Sequence, residues 1–129
     1  MSARILVIED NSANLELMVY LLEAFGYEAL TALDGERGLD LARSENPDLI
    51  LCDVHLPKLD GYEVAARLKS DPRLCRIPLV AVTALAMVGD RNRVLAAGFD
   101  AYIAKPIVPE MFVLEVGNYI VSAAGMGPD

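Results

Sequence analysis

Glu9 and Asp10 follow the apolar run Ile5-Leu6-Val7-Ile8, and Asp53 follows Leu49-Ile50-Leu51-Cys52. Thr83 ends a further run, Leu79-Val80-Ala81-Val82, and Lys105-Pro106 comes after another, Ala101-Tyr102-Ile103-Ala104. If these runs are strands of one parallel sheet, three carboxylates, a hydroxyl and an ammonium meet at its carboxyl edge, where ligands of such sheets bind. Carboxylates gathered this way repel. At about 4 Å and an effective dielectric near 20, one like-charge pair costs roughly 4 kcal/mol before screening. A divalent cation relieves that repulsion, and hard oxygen ligands completed by water and phosphate oxygens suit Mg²⁺ best. An aspartate is also a nucleophile toward phosphorus, and phosphoryl transfer is mostly positioning plus neutralisation of charge. In that chemistry the Lys105 ammonium and the Thr83 hydroxyl would each take a phosphoryl oxygen, beside one held by Mg²⁺. Each residue also has an ordinary reading: Asp10 as a helix cap, Asp53 and Thr83 as strand ends, Lys105 as a surface lysine. Their joint placement at matching strand ends favours the site.

The elements that must position these residues alternate five times. Strands are expected at Ile5–Glu9, about Glu28–Ala32, Leu49–Asp53, Leu79–Thr83 and Ala101–Ala104. A first helix, capped by Asn11 or Ser12, carries Leu15, Met18, Leu22 and Phe25 at helical spacing and ends at Gly26. A second carries Leu39 and Leu41-Ala42 and stops at Asn46-Pro47. The loop His55 to Gly61 cannot stay regular around its proline and glycine. A third helix carries Val64, Ala65 and Leu68 and closes at Asp71-Pro72, and a fourth lies near Asp90–Ala97. Pro109 sits in the first turn of the last, with Phe112, Val113, Val116 and Ile120 on its apolar side. Such alternation predicts an α/β fold: a doubly wound five-stranded parallel sheet, order 2-1-3-4-5, with helices on both faces. Its switch point falls between strands one and three, which end in Glu9-Asp10 and Asp53.

The bulk numbers fit one such domain. The chain has 129 residues, 54% hydrophobic and 23% charged, with a formal charge of −8. An excess of acid argues against unaided binding to nucleic acid or an anionic membrane surface. The apolar stretches fall far short of the roughly 20 residues a membrane span needs, and Met1-Ser2-Ala3-Arg4 runs straight into a strand without a signal peptide. Cys52 and Cys75 lack metal-ligand spacing, and Cys52 reads as a small core residue. A reducing, cytoplasmic home is the default expectation. One domain over residues 1–124 is expected, with 125–129 a frayed tail.

At this point the sequence resembles the receiver domains of two-component response regulators, over roughly Arg4 to Ser122. The resemblance is carried by Ile5 to Asn11, Pro47 to Pro57, Asp60-Gly61, Val80 to Ala84 and Gly98 to Pro106. It implies a flavodoxin-like fold and a phosphoacceptor, Asp53, that takes a phosphoryl group from a phosphohistidine of a sensor histidine kinase or phosphotransfer protein. It implies that Glu9, Asp10 and Asp53, with the backbone carbonyl of His55, hold Mg²⁺. Lys105 would pair with the phosphoryl group, Thr83 would move toward it, and Tyr102 would rotate inward behind it. The Lys105-Pro106 bond would be cis, a form essentially confined to X-Pro bonds. The signal would leave through helix four, strand five and helix five to a downstream protein target, with a phosphorylation-dependent dimer also among the implied partners. His55 is expected to line the site rim and influence dephosphorylation, and Leu85 to shield the phosphoryl group from water. The apolar segment Ala84 to Asp90 reads either as a helix start packed on the core or as a docking patch.

Two other classes compete. A Mg²⁺-dependent aspartyl-phosphate phosphatase usually needs a second acid two residues after its nucleophile, and His55 stands there. A flavodoxin-like FMN carrier would need a Ser/Thr/Gly-rich phosphate loop after strand one, where this chain has Glu9-Asp10-Asn11.

Overall fold

The computed structural model describes residues 3–84 and 88–125. Ten elements alternate: β1 (Arg4–Ile8), α1 (Ser12–Ala24), β2 (Glu28–Ala32), α2 (Gly35–Glu45), β3 (Leu49–Asp53), α3 (Gly61–Ser70), β4 (Leu79–Thr83), α4 (Val88–Ala96), β5 (Ala101–Ala104) and α5 (Pro109–Gly125). The sheet order is β2-β1-β3-β4-β5 and every pairing is parallel. This is the doubly wound α/β architecture that the sequence predicts.

Side-chain alternation divides the interior in two. Leu6, Ile8, Ile50, Cys52 and Ala81 point to one face and pack with Leu39 and Ala42 of α2, Val64, Ala65 and Leu68 of α3, and Val94 of α4. Ile5, Val7, Leu49, Leu51, Val80 and Val82 point to the other and pack with Met18, Leu21 and Leu22 of α1 and Phe112 and Val116 of α5. All five residues of β3 and of β4 are buried, as strands covered on both faces must be. Burying one such aliphatic side chain stabilises by about 1.5–3 kcal/mol. Cys52 lies in this core as a free thiol, and Cys75 is also unpaired.

Helix starts follow the sequence closely. Asn11 Oδ1 accepts from the Asn14 amide at 2.9 Å, Asp34 Oδ1 from Arg37 at 2.8 Å, and Asp60 Oδ1 from Glu63 at 3.0 Å. Each carboxylate or amide oxygen satisfies an otherwise orphaned amide of the first turn. Gly26 follows α1 at φ +88°, a left-handed conformation that glycine adopts without a Cβ penalty.

Four local expectations shift. Phe25 is not on the apolar face of α1: it is the C-cap, outside helical dihedrals, and 61% exposed, while Leu21 takes the buried position. β1 ends at Ile8 rather than Glu9, although the Glu9 amide still donates to the Ala32 carbonyl at 3.0 Å before the chain leaves the sheet. α4 starts at Val88, two residues before the expected Asp90, and ends at Ala96. Gly125, expected in the tail, closes α5. Leu85, expected as a shield, lies outside the described residues, as do Ala86 and Met87 of the same apolar segment. No helix among the described residues is long and apolar enough to cross a membrane.

Candidate functional site at the carboxyl edge of the sheet

β1 and β3 are adjacent, with Ile8 opposite Cys52. The residues that follow them, Glu9 and Asp53, therefore leave the sheet side by side. Glu9, Asp10 and Asp53 each offer a carboxylate oxygen, and these atoms all lie within 4.8 Å of one another. Glu9 is fully buried and Asp53 nearly so, whereas Asp10 is exposed to solvent. The cluster thus has a buried floor and an open rim.

β4 and β5 bring the other two groups. Asp53 pairs in register with Val82, and Thr83 with Ala104. The Lys105 amide donates to the Thr83 carbonyl at 3.0 Å, fixing the backbone from which the lysine reaches back across the strand ends. Its Nζ lies 3.1 Å from Asp53 Oδ2 and 3.0 Å from Glu9 Oε1. Thr83 is buried beside them. The Lys105-Pro106 peptide is cis.

Electrostatics follow from that geometry. Burial pushes the Glu9 carboxyl up to about 7, against the pull of Lys105 and with the help of neighbouring Asp53. Burial pulls Lys105 down, but its pairing with the Glu9 and Asp53 carboxylates outweighs this and the net shift is upward. Three carboxylates and one ammonium leave the ionised cluster with two uncompensated negative charges. Glu9 Oε2 accepts from the Asn11 amide at 3.2 Å, but Oε1 meets Lys105 out of hydrogen-bond alignment and is a buried oxygen without a proper donor. A double negative charge, an all-oxygen donor set and an unsatisfied buried oxygen fit a hard divalent cation.

Asp53 itself is held tightly. Its Oδ1 accepts from the His55 amide at 3.0 Å, and its backbone carbonyl accepts from the Cys52 thiol at 3.2 Å. The His55 side chain is exposed at the rim. Gly61 presses on the same turn: its amide donates to the Val54 carbonyl at 2.8 Å, and a Cβ there would fall 2.4 Å from the Asp53 carbonyl oxygen and 2.6 Å from Val54 Cα. Only a residue without a side chain fits. Sequence reasoning noted Gly61 as a loop signal but missed this close approach, since spacing along a chain does not report distance across a turn.

Tyr102 lies half-buried in β5, its hydroxyl accepting from Arg91 Nε of α4. Arg91 was not singled out by sequence; a lone arginine on a helix surface carries no signal of its partner. A shallow groove on the α2–α3 side, lined by Arg43, Glu63 and Arg67 among others, includes none of the predicted site residues.

An acid cluster at the switch point of a doubly wound sheet, with a lysine reaching back onto it from the end of β5, defines the receiver class of signalling domain. Residues 5–116 match the family model for the response regulator receiver domain, and the chain belongs to this family of two-component signalling modules. The chain is 44% identical over 123 residues to the polar-differentiation response regulator DivK of Brucella ovis, covering 95% of this chain and all of that protein. DivK of Brucella anthropi matches to the same extent. Among solved structures, a CheY-like response regulator receiver domain protein of Methanospirillum hungatei superposes with a TM-score of 0.89 at 28% identity, covering 98% of this chain and all of that one. The receiver domain of a sensor histidine kinase of Pseudomonas aeruginosa, solved with a magnesium ion coordinated in its active-site cleft, gives a TM-score of 0.85 at 32% identity, covering 93% and 98%.

Proposed function

We propose that this chain is a phosphoacceptor switch: Asp53 takes a phosphoryl group from a phosphohistidine of a sensor histidine kinase or histidine phosphotransfer protein. The observation that carries this reading is the Lys105 ammonium 3.1 Å from Asp53 Oδ2, inside a cluster whose three acids lie within 4.8 Å. A carboxylate oxygen of Asp53 attacks phosphorus, the P–N bond breaks, and its electron pair returns to the partner imidazole. The ammonium of Lys105 neutralises charge on the transferring group, which is where phosphoryl-transfer catalysis is chiefly made. The Thr83 hydroxyl donates to the same group once it is in place. Glu9, Asp10 and Asp53, with the His55 carbonyl, are the residues that would hold Mg²⁺, which when bound supplies positive charge to phosphoryl oxygens.

The acyl phosphate adds about −1.5 to −2 charge at neutral pH. Thr83 and Tyr102 respond, and the surface of α4, β5 and α5 presents a changed face to a downstream protein or to a second copy of the chain. The phosphoryl group is lost slowly by self-hydrolysis rather than by turnover. The cytoplasm is the proposed compartment, where Cys52 and Cys75 stay reduced.

The test is incubation with acetyl phosphate and Mg²⁺, followed by intact mass, with Asp53→Ala as control. One stoichiometric phosphoryl group on the wild type and none on the variant supports the reading. Sustained hydrolysis of phosphate monoesters instead would make the chain a phosphatase.

A further inference from the structure

α4 is tied to two aromatic rings on its two sides. Arg91 donates through Nε to the Tyr102 hydroxyl, and its Cζ lies 5.1 Å from the centre of the Tyr102 ring. Two residues on, Arg93 Cζ lies 4.7 Å from the centre of the Tyr62 ring of α3, which meets Phe99 edge-on. Tyr102 is held from behind as well, because the Tyr119 hydroxyl of α5 reaches its backbone carbonyl at 3.5 Å. The side chain is therefore restrained by α4 and the backbone by α5.

The register of the last two strands says what that restraint opposes. Tyr102 stands opposite Ala81, and Thr83 opposite Ala104. Strand alternation puts Ala81 and Thr83 on the face that packs against α4, and Tyr102 packs there too. Thr83 and Tyr102 are thus diagonal neighbours, and the residue facing each of them is an alanine. Little side-chain volume separates the threonine from the space a turning tyrosine would enter. A ring that turns into it must move its hydroxyl, which sits on the guanidinium of the solvent-exposed Arg91.

We infer that Arg91 is a positioning residue: it latches Tyr102 in the outward orientation, and release of this latch is coupled to phosphorylation. The inference rests on the reading of Asp53 as phosphoacceptor and Tyr102 as a moving part. The latch consists of one exposed cation–π contact and one hydrogen bond. Its removal raises the ratio of inward to outward tyrosine about fivefold. The inward state is also the one assigned as the better phosphoryl acceptor, so while it is the minor state the labelling rate scales with its population. Loss of the latch therefore also speeds phosphorylation.

The experiment uses the full chain labelled with 3-fluorotyrosine, which has five tyrosines; Tyr102→Phe identifies the Tyr102 fluorine resonance. Wild type, Arg91→Ala and Arg93→Ala are each recorded with Mg²⁺, before and after acetyl phosphate, with phosphorylation followed by intact mass. In unphosphorylated Arg91→Ala, the Tyr102 resonance should move toward the position that phosphorylated wild type shows, and acetyl phosphate should label this variant about fivefold faster. Arg93→Ala, which loses only the Tyr62 contact, should leave the Tyr102 resonance and the labelling rate at the wild-type values. A Tyr102 resonance in Arg91→Ala that stays put, or moves elsewhere at an unchanged labelling rate, overturns the latch while Asp53 phosphorylation stands. Absence of a phosphoryl group on the wild type overturns the phosphoacceptor reading and the latch together.

Discussion

Lys105 Nζ lies 3.1 Å from Asp53 Oδ2 although 52 residues separate them along the chain. The contact exists because β3 and β5 flank β4, and because the Lys105 amide is anchored on the Thr83 carbonyl. Lys105→Met removes the ammonium from a cluster of three acids. Phosphorylation by acetyl phosphate should fall about 100-fold, the scale of losing one preorganised charge-stabilising donor. Mg²⁺ should bind the variant more tightly, since the acids then lack their internal counter-ion. A drop in both would mean that the lysine acts by holding the fold together.

Mg²⁺ should stabilise the wild type. At ten times its dissociation constant the gain is about 1.4 kcal/mol, a rise of about 3–6 °C in melting temperature for a chain this size. Asp53→Asn should melt higher than wild type without Mg²⁺, because one of three crowded charges is gone, and should respond less when Mg²⁺ is added. A wild-type melting curve indifferent to the cation would count against the site.

The Glu9 carboxyl is pushed up to about 7 by burial, from 4.5. The folded chain therefore holds this proton more tightly than the unfolded chain. Without Mg²⁺, the Glu9 contribution to stability falls as pH rises from about 4.5 to about 7 and is level outside that window. Urea unfolding between pH 5.5 and 7.5 should show this slope in the wild type and not in Glu9→Gln. Apparent Mg²⁺ affinity should climb over the same range, because cation and proton compete for one carboxylate.

Gly61→Ala places a methyl group against backbone, 2.4 Å from the Asp53 carbonyl oxygen. Backbone cannot swing aside as a side chain can, so the turn after Asp53 must move. The variant should lose about 1–3 kcal/mol of stability and be labelled by acetyl phosphate more slowly. Leu68→Ala in α3 loses about 2–5 kcal/mol through a cavity but puts no atom against the backbone of that turn. Its labelling rate, measured where it stays folded, should match the wild type.

Asp60→Ala removes the oxygen that caps α3. Thermal unfolding should register a loss of about 1 kcal/mol. Asp60→Asn, which keeps an accepting oxygen, should recover most of it.

The sheet was legible because its strands are continuous apolar runs and each helix interrupts them with an amphipathic stretch. Glu9, Asp10 and Asp53 could be placed together because strand order alone fixes where strand ends meet. Phe25 misled because helical spacing projects onto a helix only while the helix lasts, and α1 stops at Ala24. The pairing of Glu9 Oε1 with Lys105, the tight fit of Gly61 under Asp53, and the reach of Arg91 to Tyr102 were not legible. Each depends on side-chain direction or backbone distance across a gap, and neither is written in spacing.

The two half-cores are interleaved residue by residue along single strands. In β3, Leu49 and Leu51 serve one half-core while Ile50 and Cys52 serve the other, and Asp53 comes next. Adding one residue to the interior of β3 would exchange the clientele of both half-cores from that point on, and would carry Asp53 one strand step, about 3.3 Å, beyond Glu9 and Lys105. Parity along this strand therefore binds packing and chemistry into a single constraint. Length changes are better tolerated in surface loops remote from the acids than in the strand that delivers one of them.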